Sequence, residues 1–117
     1  MVQIILFDTG AAFNSSDIGL DTLVDFTPTV DRIILDKTSF TALTSAVGNG
    51  FSLATEFATV TTDSAVAASP ARIVYNTSNG GLFYNQNGSA TGLGTGAQFA
   101  SLLGNPVITA ANFVIQA

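Results

Sequence analysis

The stretch Thr77-Ser78-Asn79-Gly80-Gly81 lies between two short β-rich runs, Arg72–Asn76 (RIVYN) and Leu82–Asn85 (LFYN). Asn-Gly between such runs favours a tight turn, because both residues tolerate positive φ and the turn's twist matches that of the flanking strands. The spacing predicts an antiparallel hairpin. Tyr75, Phe83 and Tyr84 are placed for a cross-strand aromatic pair, which stabilises a sheet by roughly 0.2–1 kcal/mol. Sheet packing accounts for these rings better than a sugar-binding aromatic face does.

Two more alternating runs, Asp21–Phe26 and Asp31–Leu35, flank Thr27-Pro28-Thr29-Val30. Proline fixes φ and lacks an amide donor, so Pro28 suits a turn or strand end and not a central ladder position. Asp21–Leu35 therefore reads as a second hairpin. Val2–Phe7 reads as a buried strand ending at Asp8-Thr9-Gly10, and Ala11–Leu20 as a polar loop. Asp36–Val47 places Phe40, Leu43 and Val47 at i, i+3 and i+7, which predicts a short amphipathic helix stopped by Gly48-Asn49-Gly50. Phe57–Thr61 reads as a strand and Ser64–Ala68 as a loop or single helical turn. Gln98–Leu103 reads as a short helix or strand, and Phe113-Val114-Ile115 as a closing strand after a turn capped by Thr109. Glu56, the sole glutamate, is expected to face water. Together these elements predict a single mainly β domain over 1–117, a compact β-sandwich or flattened β-roll-like fold with one or two short helices.

Composition narrows function chiefly by what it lacks. With no cysteine there is no disulfide, thiolate metal site or cysteine nucleophile, and with no histidine the usual general base is missing. The expectation is a protein that is not an enzyme. Three basic residues against eight acids leave no basic patch able to neutralise several phosphates, so nucleic acid is not expected as a partner. No apolar run approaches the roughly 20 residues needed to cross a bilayer, and Val2–Phe7 is too short for a signal peptide and lacks its basic flank.

The run D-T-L-V-D-F-T-P-T-V-D-R-I-I-L-D-K resembles the segment that follows the glycine-rich repeats of RTX proteins, the hemolysin-type calcium-binding secreted proteins. Phe7-Asp8-Thr9-Gly10, Leu35–Phe40, Val74-Tyr75-Asn76, Leu82-Phe83-Tyr84, Leu103-Gly104-Asn105-Pro106 and Asn112–Ile115 follow in an order similar to the C-terminal region of that family, so the likeness covers nearly the whole chain. It implies a secreted, extracellular module that closes a β-roll and is recognised by a type I secretion exporter through its last residues, 107–117, with the signal at Asn112, Phe113, Val114 and Ile115. Its partners would be that exporter and either upstream β-roll repeats or other copies of the chain. An exposed first or last strand would let copies add to one another as a self-assembling extracellular filament or matrix, a homo-oligomer.

The family's calcium ladder, G-G-x-G-x-D-x-U-x, is missing. Asp8, Asp17, Asp21 and Asp25 nevertheless cluster in sequence, and carboxylates on loops can form an oxygen-rich calcium site. Solvated acids and turn caps are the other reading of the same four residues. In Asn85-Gln86-Asn87-Gly88-Ser89, amides stand where an acidic D-x-D-G-like loop would resemble a calcium loop, so neutral oxygens replace charged ones. Gly92–Gly96 lacks the lysine of a P-loop and reads as a connection.

One enzymatic alternative arises from I-L-F-D-T-G-A, which is similar to the active-site loop of retroviral-type aspartic proteases. There, two chains would pair their Asp8 carboxylates to activate water. Against it, the chain shows no convincing glycine-rich flap hairpin between Thr27 and Leu82.

Overall fold

The computed structural model describes residues 4–8, 10–14, 20–90 and 92–117. Among the described residues, nine strands form two mixed sheets that enclose one main core. The first sheet has the order β1 (Ile4–Phe7), β3 (Arg32–Asp36), β9 (Phe113–Gln116), β4 (Gly48–Asn49). The second has the order β2 (Asp21–Leu23), β8 (Gln98–Leu102), β7 (Gly81–Tyr84), β6 (Ile73–Asn76), β5 (Phe57–Val60). A single α-helical turn, α1 (Asp63–Val66), is capped by the Thr62 hydroxyl, which accepts from the Ala65 amide. Short 3₁₀ turns precede β5 and β9. The domain is mainly β, as the alternating runs predict.

Strand alternation sets what each sheet buries. In the first sheet Phe7, Ile33, Leu35, Phe113 and Ile115 point into the core; in the second Leu23, Ile73, Tyr75, Leu82, Tyr84 and Leu102 do so. Phe13, Phe40, Tyr84 and Phe99 form an aromatic cluster, with Phe40 5.1 Å from both Tyr84 and Phe99. On the far face of the second sheet, Val74 and Phe83 pack with Val66 of α1.

The 72–85 hairpin forms as expected, with Ile73 opposite Tyr84 and Asn76 opposite Gly81. Its turn is closed by the Gly80 amide on the Asn76 carbonyl and by the Asn76 and Asn79 side chains, which accept from the Ser78 and Gly81 amides. The register corrects the aromatic pair: Tyr75 faces Leu82 and Val74 faces Phe83, so the rings do not meet across the strands. Tyr84 packs instead on Phe13 and Phe40.

Asp21–Leu35 is not a hairpin. β2 pairs in parallel with β8 in one sheet, and β3 pairs in parallel with β1 and β9 in the other. The Pro28 turn is a corner that carries the chain across the core. Both runs have a buried face, but the faces look at the core from opposite sides.

Residues 36–47 do not form the predicted helix. The Phe40 amide reaches the Asp36 carbonyl and the Leu43 amide the Phe40 carbonyl, so turns start but do not propagate. The amides of Thr44 and Ser45, which would have continued a helix, are taken by the Glu56 carboxylate. Phe40 and Leu43 are buried as the periodicity implies, whereas Val47 is exposed. Glu56 is therefore also corrected: it is buried and not in water.

Candidate functional site

The strands follow a coiled path. The chain runs along the first sheet in β1, crosses to the second in β2, and returns in β3 beside β1 and parallel to it, with Ile4 opposite Arg32 and Phe7 opposite Leu35. Later, β8 and β9 repeat the step from second sheet to first, stacking in parallel on β2 and β3. This gives two strand–corner–strand units, β2–β3 and β8–β9, one upon the other.

The corners share a construction. In the first, the Asp31 carboxylate accepts from the Thr27 amide at 2.8 Å, and the Val30 and Asp31 amides bond to the Thr27 carbonyl. In the second, the Asn112 side chain accepts from the Thr109 amide at 2.8 Å, and the Asn112 amide bonds to the Thr109 carbonyl. Each corner thus begins at a threonine and ends at an Asp or Asn whose oxygen reaches back to the threonine amide, satisfying a donor that the turn would otherwise orphan. Asn112 Nδ2 also donates to the Pro28 carbonyl, tying the second corner to the first.

The two ends of the stack differ. At one end lie β1 and β2, the outer strands of their sheets, each paired in parallel with its only described neighbour. At the other end β4 is a two-residue antiparallel strand, and β5 is joined to β6 through α1. Ring contacts fix the alignment: Phe7 of β1 packs on Phe99 of β8 at 4.9 Å, and Phe113 of β9 on Phe57 of β5 at 5.1 Å. The outer edges of β1 and β2, which no described residue pairs, therefore share one end of the stack.

The terminal segment named as an export signal is built into the fold. Phe113 and Ile115 are core residues, Val114 is half-buried, and β9 is paired on both sides, by β3 and β4. Gln116 Nε2 donates to Asp36 Oδ2 at 2.9 Å, and the Thr38 amide to Asp36 Oδ1 at 2.7 Å; the Gln116 bond, with that amide, holds the Asp36 carboxyl below its usual value.

The described candidate calcium ligands lie on different elements. Asp8 follows β1 in the first sheet, and its Oδ1 accepts from the Gly10 amide at 2.8 Å and the Ser39 hydroxyl at 3.3 Å. Asp21 begins β2 in the second sheet, and Asp25 sits in the corner at φ 62°. Asp17 lies outside the described residues. Among the described residues no group of three or more acids converges as a metal site.

The Asn85–Ser89 loop is also a poor cation cage. Asn85 Nδ2 donates to the carbonyls of Ser69 and Gly88, and Arg72 Nη1 donates to the Gln86 carbonyl at 2.6 Å. A Cβ at Gly88 would lie 2.6 Å from that same guanidinium nitrogen. A fixed positive charge thus already lies against the loop, and it would repel a divalent ion.

Glu56 is the most heavily engaged acid. Its oxygens accept from the Ser45 amide and hydroxyl at 2.7 Å each, and from the Thr44 amide and hydroxyl at 3.0–3.1 Å. Burial pushes its carboxyl up, but the Ser45 hydroxyl and the two amides more than offset this, and the net displacement is downward. Glu56 pins residues 44–45 beside the 3₁₀ turn and is a structural anchor.

An apolar cleft of about 500 Å³ is lined by Phe57, Thr59, Thr77 and residues 105–110, none of them titratable. No helix among the described residues is long and apolar enough to cross a membrane. No protein family, curated protein or solved structure matches the chain.

Sequence reasoning missed the corner lock and the Glu56 anchor. The first had a signal: Thr-Pro-Thr-Val-Asp before β3 and Thr-Ala-Ala-Asn before β9 are the same device at nearly the same spacing.

Proposed function

We propose that the chain is a non-catalytic end module of a secreted RTX-type protein, closing a β-roll and carrying a type I export signal in Val107–Ala117. The observation that carries this reading is the open end of the stack, where β1 and β2 are both edge strands parallel to their described neighbours. At the other end the first sheet finishes in the two-residue antiparallel β4, and the second in the parallel edge strand β5. A very short edge strand discourages strand addition to the first sheet, as a terminator must. The order of RTX-like motifs supports the same reading. The Phe113–Gln116 part of the proposed signal is paired in β9, with Phe113 and Ile115 buried, so an exporter reads it before β9 joins the sheet.

The test is a passenger protein fused ahead of the chain in cells that carry a type I exporter. The fusion is expected in the medium, and removal of Val107–Ala117 is expected to retain it in the cell. Retention of the intact fusion under the same conditions overturns the export role.

A second reading, a self-assembling extracellular structural protein, is favoured by β1. Ile4 and Leu6 are 62% and 51% exposed on this open edge strand. Deleting Met1–Phe7 should then abolish any assembly seen by sedimentation; an unchanged mass argues against it.

A further inference from the structure

We infer that the free edges of β1 and β2 act together as one docking surface, and that its occupant is a strand–corner–strand coil entering ahead of β1, parallel to both strands. The inference rests on the reading of the chain as an end module and adds the surface and the form of partner it takes.

The two edges lie at the same end of the stack but in opposite sheets, so a single added strand satisfies only one of them. A coil that crosses the core between its two strands satisfies both. The molecule already contains this arrangement: β8–β9 docks on β2–β3 through two parallel pairings and one corner bond, from Asn112 to Pro28. Backbone direction favours the same mode at the open end, because β1 and β2 are each already parallel to their inner neighbours. Leu20 and Val24, which flank β2, and Val30, in the following corner, are exposed apolar residues at 59%, 52% and 41%. Two linked contacts also bind as a unit, since forming the first raises the effective concentration of the second. A second copy fits less well: a two-fold axis at the open end would set β1 antiparallel to its mate, a pairing type found at neither edge.

The chain itself supplies the probe. A copy of residues 4–31 is inserted ahead of Ile4, because this span runs from the start of β1 to the residue before its partner Arg32. Hydrogen exchange is compared between the parent and the extended protein. The outward-facing amides of β1 and of β2 are both expected to slow by at least about tenfold, as amides do on entering a stable sheet. In a control, proline replaces the Ile5 and Thr22 equivalents of the added copy, and both edges should return to the parent's rates. Sedimentation of the parent is run in parallel and is expected to show a monomer. Protection at one edge alone, or at neither, overturns the two-edged surface. A parent that self-associates with protection of β1 and β2 overturns the assigned occupant in favour of a second copy. None of these readouts involves an exporter, so failure of the export role leaves the docking result intact.

Discussion

Asn112 donates its side-chain amide to the carbonyl of Pro28, across 84 residues of sequence, and accepts the Thr109 amide through its Oδ1. One side chain therefore closes its own corner and locks it to the corner above. Asn112 is buried and both bonds are part-buried, so removing it leaves the Thr109 amide and the Pro28 carbonyl with only partial access to water. Asn112→Ala should cost about 2–4 kcal/mol in urea-induced unfolding, from two lost hydrogen bonds and the groups left behind. Asn112→Asp keeps the acceptor for Thr109 but sets a carboxylate against the Pro28 carbonyl. It should be destabilised at neutral pH and partly recover as acid protonates the side chain.

Gly80 and Gly104 both adopt positive φ, 77° and 84°, yet they should respond differently to alanine. A Cβ at Gly80 would collide with the Leu102 carbonyl, whereas one at Gly104 would meet nothing within 4 Å. Gly104→Ala should cost only about 1 kcal/mol, the conformational penalty alone. Gly80→Ala adds a backbone clash where the hairpin meets β8. It should cost at least about 3 kcal/mol or prevent folding, read as a lower thermal midpoint against Gly104→Ala. Equal midpoints would show that the hairpin tip is not held against β8.

Acid sensitivity should centre on Glu56 and Asp36, whose carboxyls are both held below their ordinary values. Between the folded and the ordinary values the unfolded chain binds more protons, so stability rises with pH there. The contribution is complete above the ordinary carboxylate range, near about pH 4. It is lost as pH falls through the depressed values. Glu56→Gln should cost about 1–3 kcal/mol at pH 7, from weakened charge-assisted bonds to Thr44 and Ser45. The gap to the parent should narrow on acidification, in urea titrations run at several pH values. A gap independent of pH would mean that the carboxylate charge does not hold residues 44–45.

Most strands were legible in the sequence because their signals are local; β4 at Gly48–Asn49, read as a helix stop, was not, and β8 read equally as helix or strand. Arg72–Asn85 carries its turn chemistry beside its apolar alternation, and β9 carries its alternation beside the Thr109 cap. The partner of each strand was less legible. Whether Pro28 makes a hairpin or a corner depends on where β8 and β9 lie, and those residues are far away in sequence. The loss of the 36–47 helix had the same origin, since the donors that would have propagated it are claimed by Glu56. A lone glutamate among threonines and alanines looks solvent-facing until the chain folds. The acids Asp8, Asp21 and Asp25 are close in sequence, but the chain changes sheet between Asp8, after β1, and Asp21, at the start of β2, while Asp25 lies in the corner beyond.

Calcium should have little effect on this domain. The described acids do not converge, and at the Asn85–Ser89 loop the Arg72 guanidinium bonds to the Gln86 carbonyl and packs against Gly88. A ligand that binds only the folded state raises its stability in proportion to the logarithm of the ligand's excess over its dissociation constant. A tight site would therefore appear as a clear upward shift of the melt in millimolar calcium, reversed by chelator. The expected result is superimposable melts with calcium and with chelator. Arg72→Gln removes the fixed charge and should cost about 1–3 kcal/mol through the lost charge-assisted bond. Adding Asn85→Asp and Asn87→Asp to that variant supplies anionic oxygens without the opposing guanidinium; the carboxylate at 85 then opposes the Ser69 and Gly88 carbonyls, and calcium should recover part of the stability so lost. A parent already stabilised by calcium would mean that the ion is held elsewhere and that Arg72 does not take its place.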